Sequence, residues 1–226
     1  MSLLSADAAQ ALALSLRVAG VGIAAGLPFA VALAWLLSRR RFPLKVLVET
    51  LVYLPLVLPP VVTGYGLLRL FGHAGPLGRV LDALGMSVAF RWTGAAIAAA
   101  VMGLPLLVVS LRTAFDQVDR RYEQAAATLG APPWRIFAGV TLPLAMRGLI
   151  AGCVLAFARA FGEFGATSTF VSSIPGQSRT LPVAIYEFLN VPGGEADAAR
   201  LVWVAVAVAF AATLGAALLQ RGGRQP

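Results

Sequence analysis

Charge is the scarcest commodity in this chain. Only 12% of its 226 residues are charged, where a soluble domain carries about 25%. There is one lysine, Lys45, one histidine, His73, and one cysteine, Cys153. Each shortage excludes something. A lone cysteine forms no internal disulfide, and with a lone histidine it leaves no Cys/His metal-binding spacing. The single lysine stands between Leu44 and Val46, so the chain has no Gly-Lys-Ser/Thr loop for nucleotide phosphates. No nucleophile elbow and no Ser/His/Asp set appears. The formal charge of +8 invites nucleic acid as a partner. No basic run is interleaved with aromatics, however, and nucleic acid is excluded.

Hydrophobic residues make up 59% of the sequence, in runs long enough to cross a bilayer as helices, which takes about 20 residues. The runs lie at about 11–37, 46–71, 92–111, 140–161 and 201–219. They predict an all-α, polytopic membrane helix bundle of about five transmembrane helices, with residues 1–226 as a single transmembrane domain. The lipid bilayer is thus the first partner. A secretory signal would place its basic residues first. Here Asp7 precedes the first run, and Arg39, Arg40, Arg41 and Lys45 follow it. With the N-terminus outside, eleven Lys/Arg fall on the cytoplasmic side (39, 40, 41, 45, 112, 120, 121, 135, 147, 221 and 224) against six outside (69, 79, 91, 159, 179 and 200). That bias sets an outer N-terminus and a cytoplasmic C-terminus. Arg17 lies near the outer end of the first run, where its stem reaches the interface.

Two stretches are too irregular for plain lipid-facing helices. In LPLVLPPVVTGYG, residues 54–66, Pro55, Pro59 and Pro60 remove amide donors, and Gly64 and Gly66 loosen the backbone. Broken helices at membrane depth line a cavity or pack inside protein. This places Pro59, Pro60, Thr63, Gly64 and Tyr65 beside a pathway, with a kinked packing helix as the alternative. In the second stretch, residues 159–189, Arg159 and Glu163 are spaced to pair on one helical face. Thr167, Ser168, Thr169, Ser172 and Ser173 make it rich in hydroxyls, and Ile174-Pro175-Gly176 reads as a turn. Residues 72–91 read as an external loop with an amphipathic stretch, and Glu49 as an interfacial residue.

The stretch between the third and fourth runs, residues 112–139, organises the rest. It opens with Arg112, Asp116, Asp119, Arg120, Arg121 and Glu123, so the chain has left the lipid. Ala125, Ala126 and Ala127 favour helix, Gly130 suits the left-handed residue that ends one, and Pro132 and Pro133 suit the opening of another. The expectation is a short helix–turn–helix at the cytoplasmic surface.

In YEQAAATLGAPPWRIFAGVTLPLAM, residues 122–146, this loop resembles the EAA loop of permease subunits from binding-protein-dependent ABC importers. The pattern is EAA, three residues, Gly, nine residues, Ile, any residue, Leu-Pro. Ala125, Ala126, Gly130, Leu142 and Pro143 match in register. Gln124 stands for the Glu and Val140 for the Ile, while Glu123 supplies a carboxylate one position earlier. The resemblance implies that Glu123, Gln124, Ala125, Ala126, Leu129, Gly130, Leu142 and Pro143 couple the chain to an ATPase subunit. LVLPPVVTGYGLL, FARAFGEFGAT and FVSSIPGQSRTLPVAIY resemble the molybdate permease (ModB) family over almost the whole chain.

That resemblance implies the MetI-like type I ABC importer permease fold in a bacterial inner membrane, and a permease without an ATPase site of its own. It implies import of a tetrahedral oxyanion, molybdate foremost, with tungstate and sulfate as alternatives. It also implies two copies of an ATPase subunit that uses ATP and Mg, a periplasmic oxyanion-binding protein, and a permease homodimer. No cofactor is expected on this chain. Thr63, Glu163, Thr167, Ser168 and Thr169 are candidate pathway residues, the neutral hydroxyls of Thr63, Thr167, Ser168 and Thr169 able to pass a dianion without trapping it. A secondary carrier acting alone is the alternative from another class. Few ionisable residues lie within its spans to serve as relays: Arg17, Glu49, Arg159 and Glu163, all near span ends.

Overall fold

The computed structural model describes residues 5–221, with side chains to residue 218. Arg224 lies outside the described residues, as does the side chain of Arg221. Among the described residues there is helix and turn and no strand.

Helix α1, Ala6–Arg39, opens on Ser5, whose hydroxyl accepts the Ala8 amide. Helices α2, Lys45–Val57, and α3, Pro60–Phe71, follow, then the short α4, Pro76–Ala83, and the long α5, Trp92–Gln117. Next come α6, Arg120–Thr128, and α7, Pro133–Ile136, which runs through a π-helical turn, Phe137–Thr141, into α8, Leu142–Phe161. Helices α9, Gly165–Val171, α10, Leu181–Leu189, and α11, Glu195–Arg221, complete the chain.

Helix α5 is the centre of the bundle, packed by α1 on one side and α8 on the other. Met102, Leu107, Val108, Leu111 and Phe115 from α5 are fully enclosed. Apolar side chains gain nothing by leaving lipid for a helix neighbour, so close backbone contact holds such helices together. Small residues supply it here: a Cβ on Gly22 of α1 would stand 2.6 Å from the Ala96 carbonyl oxygen of α5.

Two contacts fix the relative direction of α1 and α5. At one end the Arg17 guanidinium lies 3.8 Å from the centre of the Trp92 ring. At the other the Ser38 hydroxyl donates to Asp116. The two helices therefore run parallel, and the segment between them must return the chain across the bundle. That segment is the pair α2–α3, which is bent by 112°. Among the described residues α1, α5, the α7–α8 helix and α11 are long and apolar enough to cross a membrane, and the bent pair counted as one span makes five.

The second crossing, expected over 46–71 with a break at its prolines, is broken there between Val57 and Pro60. Pro59 and Pro60 offer no amide to the carbonyls one turn back. Leu58, preceding a proline, is forced into extended backbone (φ −67°, ψ 142°). Other boundaries also shift. The fourth crossing begins at Pro133 rather than 140, and α5 continues to Gln117 past 111. The first turns of α1 run on past Arg17 and Trp92 to brace α10, where Ser15 accepts the Leu181 amide at 2.6 Å.

Candidate functional site

At the end of the bundle where α1 and α5 finish, α6 and α7 form the expected helix–turn–helix. Asp119 caps α6 by accepting the Arg121 amide. At the other end the Ala131 amide reaches the Ala126 carbonyl, and the Gly130 amide the Ala127 carbonyl. This paired pattern closes a helix around a left-handed residue. Gly130 is that residue, at φ +81°. Nothing lies within 4 Å of a Cβ built there, so the backbone angle alone asks for glycine. Pro132 then caps α7, and Pro133 opens it.

No residue of α6 is buried. Gln124, Ala125, Ala127, Thr128 and Gly130 are exposed and Ala126 half-buried. Leu129 is 88% exposed, Trp134 65% and Tyr122 61%. Three large exposed apolar side chains beside a row of small residues make a surface suited to a partner. Tyr122 and Trp134 were missed in the sequence. Their signal is aromatic residues inside an otherwise charged, non-spanning stretch. Leu142 and Pro143 open α8, beyond the π turn and off this surface.

Glu123 is turned the other way. Its Oε1 lies 3.0 Å from Nη2 of Arg39, at the end of α1. The same oxygen accepts the hydroxyl of Thr141, at 2.6 Å, from the π turn. Arg39 also donates to the Val118 carbonyl. The π turn is seated by Phe137, whose ring meets Trp35 of α1 edge-on at 6.2 Å and Phe115 of α5 at 6.0 Å. Further polar ties join the helix ends here. Asp116 of α5 accepts from Ser38 of α1, and Arg112 of α5 pairs with Glu49 of α2 at 3.0 Å. Glu49 is therefore more than an interfacial residue.

Near the opposite end, α3 lies against α9. Gly64 is buried there, and Pro60 meets Gly165. Thr63 Oγ1 is buried without a hydrogen-bond partner among the described residues. Thr167 is buried, while Ser168 and Thr169 both donate their hydroxyls to the Gly165 carbonyl. Pro59 and Tyr65 point away and are exposed. Glu163 is buried, paired with Arg159 one turn earlier on α8, and accepts the Ala166 amide at 2.9 Å. It caps the first turn of α9. The structure thus joins Pro60, Thr63, Gly64, Glu163 and the hydroxyl run around one helix contact, with Pro59 and Tyr65 at its edge.

A family model described as "Binding-protein-dependent transport system inner membrane component" matches residues 26–221. The chain is 51% identical over 217 residues to the molybdenum transport system permease protein ModB of Escherichia coli (strain K12), covering 96% of this chain and 95% of that one. It is 46% identical over 206 residues to the ModB protein of Haemophilus influenzae, covering 91% and 90%. Among solved structures, one of the MetNI methionine ABC transporter superposes with a TM-score of 0.71 at 17% identity, covering 99% of this chain and 97% of that one.

Proposed function

Because this chain belongs to the family of binding-protein-dependent transport system inner membrane components, we propose that it is the permease of an ATP-driven importer of tetrahedral oxyanions, with molybdate as the substrate. The extended identity to molybdenum permeases supports the substrate. The observation that carries the mechanism is α6: it buries nothing, yet its turn leads without a break into the fourth crossing. A partner seated on α6 and α7 pushes on a helix that crosses the membrane.

Energy comes from that partner, an ATPase subunit holding ATP and Mg. ATPases of this kind work as a pair, and each chain offers one docking turn. Two copies of this chain, related by a two-fold axis, present two turns with the pathway between them. The α6 end faces the cytoplasm, which puts the N-terminus outside and the C-terminus inside, as the excess of arginine at that end supports. A loaded oxyanion-binding protein docks on the outer loops. ATP closes the ATPase pair, the crossings tilt, and the anion enters from outside. Hydrolysis reopens the pathway inward. Around α3 and α9 the groups meeting the anion are neutral hydroxyls such as Thr63, which pass a dianion on without holding it.

Two measurements test this. An ATPase subunit copurifies with the intact chain from membranes and is lost when residues 125–133 are deleted. Uptake of labelled molybdate by the assembled transporter is suppressed by unlabelled molybdate at far lower concentration than by sulfate. Uptake indifferent to molybdate, or no ATPase retained by the intact chain, overturns the proposal.

A further inference from the structure

Given that reading of α6 as the ATPase-docking helix, we infer that Glu123 is a positioning residue that latches α6 to two crossings at once and makes no contact with the ATPase. Its carboxylate stands one place ahead of the docking pattern. Its side chain lies on the inward side of α6, with Leu129, Gln124 and Ala125 exposed around it. One carboxylate oxygen serves both partners: Nη2 of Arg39 at 3.0 Å and the Thr141 hydroxyl at 2.6 Å. Thr141 is only 1% exposed, and the Arg39 side chain 8%. Charge-assisted bonds in so sheltered a place are short and directional.

The two partners sit on different crossings. Arg39 ends α1, and Thr141 is the last residue of the π turn at the base of α8. A π turn carries one residue more than the α-helix around it, and such turns gather at functional positions. Here the Leu142 amide reaches back to the Phe137 carbonyl, and the turn presents the Thr141 hydroxyl to α6. Movement of α6 therefore reaches α8 along the chain, through α7, and also sideways through Glu123. From Arg39 the ties run on: Ser38 to Asp116 joins α1 to α5, and Arg112 to Glu49 joins α5 to the broken pair α2–α3. Without the latch, α6 tilts against the crossings instead of with them.

The test uses the whole transporter in vesicles: this chain, its ATPase subunit and the binding protein, with molybdate as substrate. Uptake per ATP hydrolysed and retention of the ATPase subunit are read together. Glu123→Gln removes the charge toward Arg39, and Thr141→Val removes the hydroxyl. Each lowers uptake per ATP by about five-fold or more, the lower range of coupling between distant sites, while the ATPase subunit stays bound. Thr141→Ser, which keeps the hydroxyl, restores the ratio. Exchange of the charges in R39E/E123R recovers part of what either reversal loses. An unchanged ratio in both Glu123→Gln and Thr141→Val overturns the latch. So does loss of the ATPase subunit on Glu123→Gln but not on Thr141→Val, which makes Glu123 a direct contact. An intact chain that binds no ATPase overturns the transport reading itself, and the latch with it.

Discussion

Gly64 of α3 faces Ala166 of α9 so closely that a Cβ on Gly64 would stand 2.6 Å from the Ala166 carbonyl oxygen. The obstacle is backbone, which cannot step aside as a side-chain tip can. Gly64→Ala is therefore expected to force the two helices apart at a cost of about 1–3 kcal/mol. Gly66, two residues on, has nothing within 4 Å of such a Cβ. Gly66→Ala is expected to be neutral or stabilising by up to about 1 kcal/mol, since glycine weakens a helix interior. Thermal unfolding of the detergent-solubilised protein separates the two, with a lower midpoint for the first variant alone.

The turn at Gly130 makes a different demand. Its φ of +81° suits glycine, is tolerated by asparagine, and costs a β-branched residue about 1–2 kcal/mol. Gly130→Val is expected to reduce oxyanion uptake sharply while the protein still inserts at normal level. Gly130→Asn is expected to keep most of it. Uptake assayed beside membrane content checks both.

Glu163 does two jobs that substitution can separate. Glu163→Gln keeps an acceptor for the Ala166 amide but abandons Arg159. Glu163→Ala loses both. Removing one member of a buried pair costs about 3 kcal/mol or more. Arg159 is partly exposed and relaxes outward, which keeps the glutamine variant below that figure. Loss of the α9 cap adds about 1 kcal/mol in the alanine variant. Chemical unfolding in detergent is expected to rank them wild type, Gln, Ala.

Much of this architecture is written locally. The apolar runs of α1, α5 and α11, the Gly130 turn and the paired prolines opening α7 each depend on residues close in sequence. The prolines at 55, 59 and 60 announced a break, and the break is there. Its 112° angle was not legible, because it depends on α3 lying down on α9. Helices α9 and α10 were also hidden. They are short, and rich in hydroxyls or bounded by Pro and Gly, so their propensity is weak and packing decides. The partners of Glu123 are 84 and 18 residues away, and no local pattern marks them. The resemblance in sequence assigned Glu123 to the docking surface because register alone carries no direction.

Sidedness has its own test. With Cys153 replaced by serine, a single cysteine at His73, exposed between α3 and α4, or at Gln124, exposed on α6, reports which face it is on. An impermeant thiol reagent added to spheroplasts is expected to label His73→Cys and spare Gln124→Cys. Inverted membrane vesicles are expected to give the reverse.

The most direct measurement is accumulation of labelled molybdate in vesicles reconstituted with this chain and binding protein, with and without the ATPase subunit, at equal ATP. Uptake against a gradient only when the ATPase subunit is present is the result predicted for a permease driven from α6. Concentrative uptake by vesicles holding this chain without any nucleotide-binding subunit would contradict it.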